Sequence, residues 1–360
     1  MTRSSTLDDL VAAIRAAHDS RTPLRIRGAG SKDFYGGMLA GEVLDVAGYR
    51  GIVAYEPTEL YITAKCGTPL AEIEATLAEK GQMLAFEPPH FSGVTAGDAG
   101  ATVGGCVAAG LSGPRRQQAG AVRDFMLGVK LIDGTGQVLN FGGQVMKNVA
   151  GYDVSRVIAG SLGTLGLVTE VSLKVLPVPV AEITLRLEKS AAEAIALMNE
   201  WGGRPLPISA TCHCDNLLTV RLSGAAAAVR TARDKIGGEE VSDAAAFWTA
   251  VREQTLPFFA GAQTLWRLSV KPTTPPLNLP GPQLTEWGGA LRWLAGDGDA
   301  RLVREAAAYA GGHATLFRAR DKAAGAFQPV TPALATLHRR LKAAFDPAGI
   351  FNPGRMYPDL

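Results

Sequence analysis

From Glu87 to Gly113 the chain reads EPPHFSGVTAGDAGATVGGCVAAGLSG, with seven glycines, no lysine or arginine, and few side chains able to fill a core. Glycine loses more backbone freedom on folding than any other residue, so such a run is not held by its own packing. What it offers is bare backbone, whose N–H donors can approach a flat or polyanionic ligand where a Cβ would collide. Val94, Val103, Val107 and Leu111 place apolar anchors through it, unlike a linker of serine, proline and charge. A second segment, Arg25-Ile26-Arg27-Gly28-Ala29-Gly30-Ser31, sets a glycine loop directly after a short strand. Successive amides there, with the Ser31 hydroxyl, suit a pyrophosphate. It is not the fingerprint of a doubly wound nucleotide fold, because Asp33 stands where the third glycine belongs. A third cluster, GSLGTLGLVTE from Gly160 to Glu170, leads into another strand. Three such segments, separated by ordinary secondary structure, predict a bound dinucleotide, which has a base, a pyrophosphate and a second ring to hold.

Other chemistry-bearing residues are sparse. The five histidines, His18, His90, His213, His313 and His338, are far apart in sequence, and Cys212-His213-Cys214 lacks the second ligand pair of a zinc site. Cys212 and Cys214 alternate on one face of a strand and read as core; no metal is predicted. Cys106, inside the second glycine segment, reads as a small buried residue. Arg115, Arg116, Arg123 and Lys130 follow that segment, where a guanidinium would face negative charge on a bound ligand. Arg115 is the better candidate, while Arg116 reads as part of a solvated face. His90 reads as an exposed loop residue. No catalytic residue is assigned, since the region after residue 180 shows only isolated histidines and scattered arginines such as Arg221, Arg267 and Arg318.

These segments must be positioned by the elements around them. Thr6 to His18 reads as a helix with Leu7, Leu10, Val11, Ile14 and Ala17 on one stripe. Strands are predicted at 23–27, 42–46, 51–55 and 60–65, then a helix from Thr68 with Pro69 in its first position. Strands at 125–133 and 137–141 flank the turn Asp133-Gly134-Thr135-Gly136, and another spans 165–176. Beyond residue 180 come strands at 182–187, 208–212, 217–222, 264–271, 290–294 and 314–318. Helices are predicted at 191–201, 225–236, 244–253 and 301–310. Their grouping suggests an antiparallel sheet with helices on one face. At 360 residues the chain suits two domains, 1–177 completed by 330–360, and a smaller 178–329. Lys plus Arg number 36 against 34 acids, so no overall field draws in nucleic acid or anionic lipid. No apolar run is long enough to span a membrane, and Asp8 and Asp9 stand where a signal peptide would be apolar, so the cytoplasm is the expected compartment.

Taken in order, RIRGAGS, GATVGGCVAAGLSGP, VRDFMLGVKLIDGTGQVLNFGG and VMKNVAGYDVSRVIAGSLGTLGLVTEVSLKVLP resemble the FAD-binding domain of the vanillyl-alcohol oxidase / p-cresol methylhydroxylase (PCMH-type) family. The ending FDPAGIFNPGRM is similar to that family's closing segment. Essentially the whole chain is covered. The narrower resemblance, through KNVAGYD, DAAAFWTAVREQ and LWRLSVKPTTPP, is to FAD-binding subunits of bacterial glycolate oxidases. It implies an α+β, two-domain PCMH-type fold with a reduced α+β cap, and FAD as cofactor.

The family pattern sets the pyrophosphate on Arg27, Gly28, Ala29, Gly30 and Ser31, and on Gly100, Ala101, Thr102, Gly104 and Gly105. The flavin ring would lie along Ala101 to Ala109, including Ala108, with Ser112, Gly113 and Arg115. The adenine would lie near Gly163, Gly166, Leu167 and Val168, with Asn352 in a tail that packs back on the FAD domain. Members that attach FAD through histidine carry it in or just after the first loop; Ser31 and Lys32 stand there, so noncovalent FAD is expected. The paired-histidine motifs of relatives that oxidise 2-hydroxy acids are absent. The resemblance implies a FAD-dependent oxidoreductase subunit of a 2-hydroxy-acid (glycolate) oxidase complex. Its partners would be a larger catalytic flavoprotein and an iron–sulfur subunit. Two alternatives stay open, a self-sufficient dehydrogenase and an assembly subunit with structural FAD.

Overall fold

A computed structural model describes residues 5–92, 100–143 and 153–360. Val94 and most of the KNVAGYD stretch lie outside the described residues. The chain opens with α1 (Leu7–Ser20), whose Thr6 side chain accepts from the Asp9 amide while Asp9 returns a bond to Thr6, a reciprocal cap. Leu10, Ile14 and Ala17 form its buried stripe. Then come β1 (Leu24–Arg27), β2 (Glu42–Asp45), β3 (Ile52–Glu56), β4 (Tyr61–Lys65) and α2 (Leu70–Ala78). Pro69 sits one position earlier than expected, at the cap of α2. The second half of the glycine-rich run is helical, α3 (Val103–Ala109), capped by Thr102 accepting from the Gly105 amide. Loop propensity gave no warning of this; close tertiary approach selects it. A Cβ on Gly104 would lie 2.6 Å from Cys66 Cβ, so only glycine lets α3 lie against the end of β4.

The strands β5 (Met126–Ile132), β6 (Val138–Gly142) and β7 (Leu167–Lys174) join β3 and β4 in a five-stranded antiparallel sheet ordered β3-β4-β7-β5-β6. Ile62, Val129, Leu131 and Val171 pack from it into one core with Ile73 and Leu77 of α2 and Val103 and Val107 of α3. β1 and β2 form a separate parallel pair, and the tail runs beside β1. Leu24 N–H donates to Ile350 O at 2.7 Å, and Asn352 N–H donates to Leu24 O at 2.9 Å.

The rest of the chain builds an eight-stranded antiparallel sheet. Its elements are β8 (Ala181–Glu188), α4 (Ala191–Gly202), β9 (Ile208–Cys214), β10 (Leu217–Gly224), α5 (Ala226–Ile236), α6 (Ala244–Glu253), β11 (Leu265–Ser269), β12 (Gln283–Glu286), β13 (Leu291–Ala295), α7 (Ala300–Tyr309) and β14 (His313–Arg318). With the two-residue edge Glu239–Glu240 beside β8, the order continues β8-β10-β9-β12-β13-β11-β14. One face packs under α4, α5 and α7 through Leu185, Val220, Trp266 and Leu294. The other face presents Cys212, Leu291, Trp293 and Phe317 toward Phe91 and Leu111 of the first unit. The expectation of helices on one face needs correcting. Trp248 of α6 packs in this second cluster, with its Nε1 2.9 Å from Thr184 Oγ1, because its indole is large and needs a polar partner for that N–H. The strand β12 and the final helix α8 (Pro332–Phe345) were not foreseen.

Candidate functional site

The three glycine segments and the tail meet around one cleft with a cavity of about 110 Å³, open to solvent. The loop after β1 contributes Arg27, Gly28, Ala29, Gly30 and Ser31, with Lys32 and Asp33 behind them. Helix α3 contributes Thr102, Gly104, Gly105 and Ala108. The segment entering β7 contributes Gly163, Gly166, Leu167 and Val168, and the tail contributes Asn352 and Arg355. Gly28 lies so close to α3 that a Cβ there would overlap Thr102 Oγ1.

The two glycine walls differ in their donors. The amides of Gly28, Ala29, Gly30, Ser31 and Lys32 donate to no acceptor among the described residues. Those at the start of α3 are committed: Val103 to Thr68 O (2.9 Å), Gly104 to Cys66 O (2.9 Å) and Gly105 to Thr102 Oγ1 (3.3 Å). The first loop is therefore the open cradle for an anion, and α3 is a wall brought close to it. Asn352 holds the cleft's two edges together: its Oδ1 accepts from Ile26 N–H at 2.9 Å, and its Nδ2 donates to Leu162 O at 2.6 Å. Arg355 ties the tail to the first loop by donating to Asp33 O at 2.9 Å and Lys32 O at 3.2 Å. Burial pushes its guanidinium down to about 10.

Lys32 was named in the sequence only as the residue replacing a histidine anchor, yet it lines the cleft as a cation, alongside Arg27 and Arg355. Its Nζ lies 3.3 Å from Ser31 Oγ and 5.6 Å from the Phe91 ring centroid, and it forms no ion pair with a carboxylate among the described residues. Burial pulls its pKa down, and a bound anion would offset that cost. Cys106 is fully packed, and burial pushes its thiol up to about 12, which keeps it protonated and unreactive.

The remaining expected residues stand elsewhere. Gly100 and Ala101 do not line the cleft; the Ala101 carbonyl accepts from Leu70 N–H at 2.8 Å. Ser112 and Gly113 line a second, smaller cavity against the eight-stranded sheet. Arg115 is buried and bonded to two carboxylates, Glu87 at 3.2 Å and Glu182 at 2.7 Å. Its guanidinium is thus engaged away from the first cleft. Arg116, read as a solvated residue, is half-buried and stacks on Trp287 at 4.4 Å. His90, read as exposed, is half-buried with Nε2 3.1 Å from Glu74 Oε2. His213 is buried with Nε2 2.8 Å from Lys189 O, and no group of residues suited to a metal occurs among the described residues.

The donor set fits FAD. An uncommitted amide cradle, the Ser31 hydroxyl and an enclosed lysine match a pyrophosphate dianion, and Val46, Leu167 and Val168 supply apolar wall for a base. Family models agree: residues 2–142 match the FAD binding domain, and residues 319–356 match the C-terminal domain of FAD linked oxidases. The solved alkyldihydroxyacetonephosphate synthase has the same fold, with a TM-score of 0.66 at 15% identity, covering 98% of this chain and 76% of that one. Fold and cleft thus define a flavoprotein oxidoreductase with a PCMH-type FAD-binding domain. The glycolate oxidase subunit GlcE of Escherichia coli is 51% identical over 351 residues, which cover 98% of this chain and 97% of that protein. The chain belongs to the FAD-linked oxidase family, in the group of that subunit. More distant are the glycolate oxidase subunit GlcD of Bacillus subtilis, 30% identical over 181 residues, and a D-lactate dehydrogenase of Anaerostipes hadrus, 26% over 188. These matches span 37% and 38% of the relatives' own lengths.

Proposed function

We propose that this chain is the FAD-binding subunit of a complex that oxidises a small 2-hydroxy acid, glycolate foremost. The observation that carries this reading is the 51% identity to a glycolate oxidase subunit, sustained over 98% of the chain. Residues 1–177 and 330–360 would form the FAD-binding domain, and 178–329 the cap. The free amides of residues 28–32 would hold the pyrophosphate, with Lys32 balancing its charge and Asn352 keeping the cleft's edges in register. Gly105, the exposed position in the first turn of α3, would let the cofactor lie against backbone. Attachment would be noncovalent, since Ser31 and Lys32 offer no histidine and the Cys106 thiol is buried and protonated.

When bound, the flavin supplies a two-electron acceptor that can return electrons one at a time. The four cysteines, Cys66, Cys106, Cys212 and Cys214, lack iron–sulfur spacing, so a cluster would sit on a partner, beside a larger flavoprotein subunit. No helix among the described residues is long and apolar enough to cross a membrane. Affinity purification of the tagged chain from its native host, with flavin and iron analysis, tests the reading. Co-purification of FAD, a second flavoprotein and iron is expected, with glycolate-dependent dye reduction lost on deleting the gene. A chain isolated alone, in a host whose deletion strain oxidises glycolate normally, would overturn it.

A further inference from the structure

The second cavity lies where the Ser112–Gly113 turn meets the eight-stranded sheet, and its chemistry is unused by the cofactor cleft. The turn is pinned from both sides: Ser112 Oγ accepts from Val122 N–H at 3.0 Å, and Gly113 O accepts from Trp287 Nε1 at 3.1 Å. Opposite it stand Arg267 of β11, Trp293 of β13 and Glu286 of β12. Register explains the convergence. Arg267 pairs with Trp293 across one strand boundary, and Glu286 pairs with Leu291, two residues before Trp293, so these side chains share the inner face.

Three groups in this wall have bonding capacity left. Arg267 has no hydrogen bond or ion pair among the described residues; its guanidinium stacks on Trp287 at 5.2 Å. Gln254 uses its Oε1 to accept from Arg318 at 2.8 Å, leaving its amide N–H group without an acceptor among the described residues. Glu286 accepts from Trp293 Nε1 at 2.7 Å through Oε1, and Oε2 receives no donor among them. The Glu286 carboxyl acts on Arg267 through space but makes no direct ion pair with it, so the guanidinium's donors remain open to an anion.

We infer that this cavity binds a small carboxylate, anchored by Arg267 with Gln254, and that Glu286 accepts a hydrogen bond from a hydroxyl on the adjacent carbon. Two donors facing one acceptor match an α-hydroxy carboxylate. A phosphate dianion would present charge to Glu286 and leave that acceptor unmatched. Size points the same way. The cavity volume is about 30 Å³, room for about two or three waters' worth of ligand centres. Leu291, Phe317 and Trp293 close it with apolar wall. Burial pushes the Glu286 carboxyl up to about 7, while the Trp293 N–H and the Arg267 guanidinium favour its ionised form, so above that pH it accepts the hydroxyl's hydrogen bond. The inference rests on the 2-hydroxy-acid reading above and gives it a location on this chain.

The test is calorimetric titration of the full-length holoprotein with acetate and glycolate, which differ only by the hydroxyl, with flavin content and absorbance recorded on the same samples. Saturable binding of both is expected, with glycolate the tighter. Arg267→Gln should weaken both by about tenfold or more, the usual scale for losing a charge-assisted pair. Arg267→Lys, which keeps the charge and loses the fork, should fall between and carries the test if the first variant does not fold. Glu286→Gln, whose amide oxygen can still hold Trp293, should bind acetate normally and lose the preference for glycolate. Absence of saturable binding to the wild-type holoprotein, or unchanged binding in a folded Arg267 variant, overturns the inference. A preparation that binds acetate but holds no FAD would instead count against the cofactor reading.

Discussion

Arg221 Nη2 lies 2.9 Å from Glu87 Oε1, joining a strand of the eight-stranded sheet to the segment that opens the glycine-rich run. Arg115 bonds the same carboxylate and also Glu182, which accepts from Ser223 Oγ at 2.6 Å. Although burial pushes Glu182 up, the Arg221 guanidinium and these hydrogen bonds hold its carboxyl below the usual range. Two arginines and two carboxylates thus fix how the sheet sits over the Ser112–Gly113 turn. Removing one member strands buried charge, so Arg221→Met should cost about 3 kcal/mol of stability. Urea unfolding would read this as a lower midpoint, and a midpoint within error of wild type would refute it.

Gly104 and Gly105 should respond differently to valine. At Gly104 the new Cβ would meet Cys66 Cβ at 2.6 Å, so that variant should lose much of its folded protein. At Gly105 the nearest atom is Thr102 Oγ1 at 3.2 Å, and the side chain would otherwise enter the cleft. Gly105→Val should fold, with near-wild-type circular dichroism, and emerge without flavin. A yellow, fully loaded Gly105→Val protein would mean that the cofactor does not lie against α3.

Acid precipitation of the holoprotein should release all its FAD into the supernatant. The first loop offers Ser31 and Lys32, and the Cys106 thiol, pushed up to about 12 by burial, stays protonated near neutral pH. A pellet that keeps its flavin colour would point to a covalent bond.

Stability should carry a signature of Glu286. Its folded carboxyl sits at about 7, above the roughly 4.3 of an unfolded glutamate, so between these values the native state holds the extra proton. Stability contributed by this group is present below about 4.3 and is lost as pH rises through about 7, by up to about 4 kcal/mol. Glu286→Gln should flatten that part of the profile, gaining most over wild type at pH 8. Parallel profiles for the two proteins in thermal melts at pH 5 and pH 8 would show that the carboxyl is not held up.

Much of the fold was legible because its signals are local. Periodicity located α1 and most strands to within a residue or two, since burial of one face requires apolar residues at spacings of 3.6 or 2. The glycine segments also announced themselves, because dense glycine has few uses other than close approach. Helix α8 was less visible: its fourteen residues bury little beyond Lys342, whose Nζ reaches Thr164 O at 2.7 Å, Phe351 O at 2.8 Å and Asp346 Oδ2 at 2.7 Å. Leu334, Leu337, Leu341 and Phe345 recur at helical spacing, but Leu334 and Leu337 stay exposed and Leu341 and Phe345 pack only half-buried on the core.

The sequence by itself marked three glycine segments as suited to a dinucleotide, and set Ser31 and Lys32 where a histidine anchor would stand. Only the tertiary structure decided which amides are free. Val103, Gly104 and Gly105 find acceptors on Thr68, Cys66 and Thr102, whereas residues 28–32 find none among the described residues. It also decided the fates of the arginines. Arg115 and Arg267 look alike in a string of letters, yet one is bonded directly to Glu87 and Glu182 and the other faces a cavity with no direct hydrogen bond or ion pair among the described residues. Hydrogen bonds and ion pairs join residues more than a hundred positions apart, and no local pattern encodes which donor will meet an acceptor once the chain has closed.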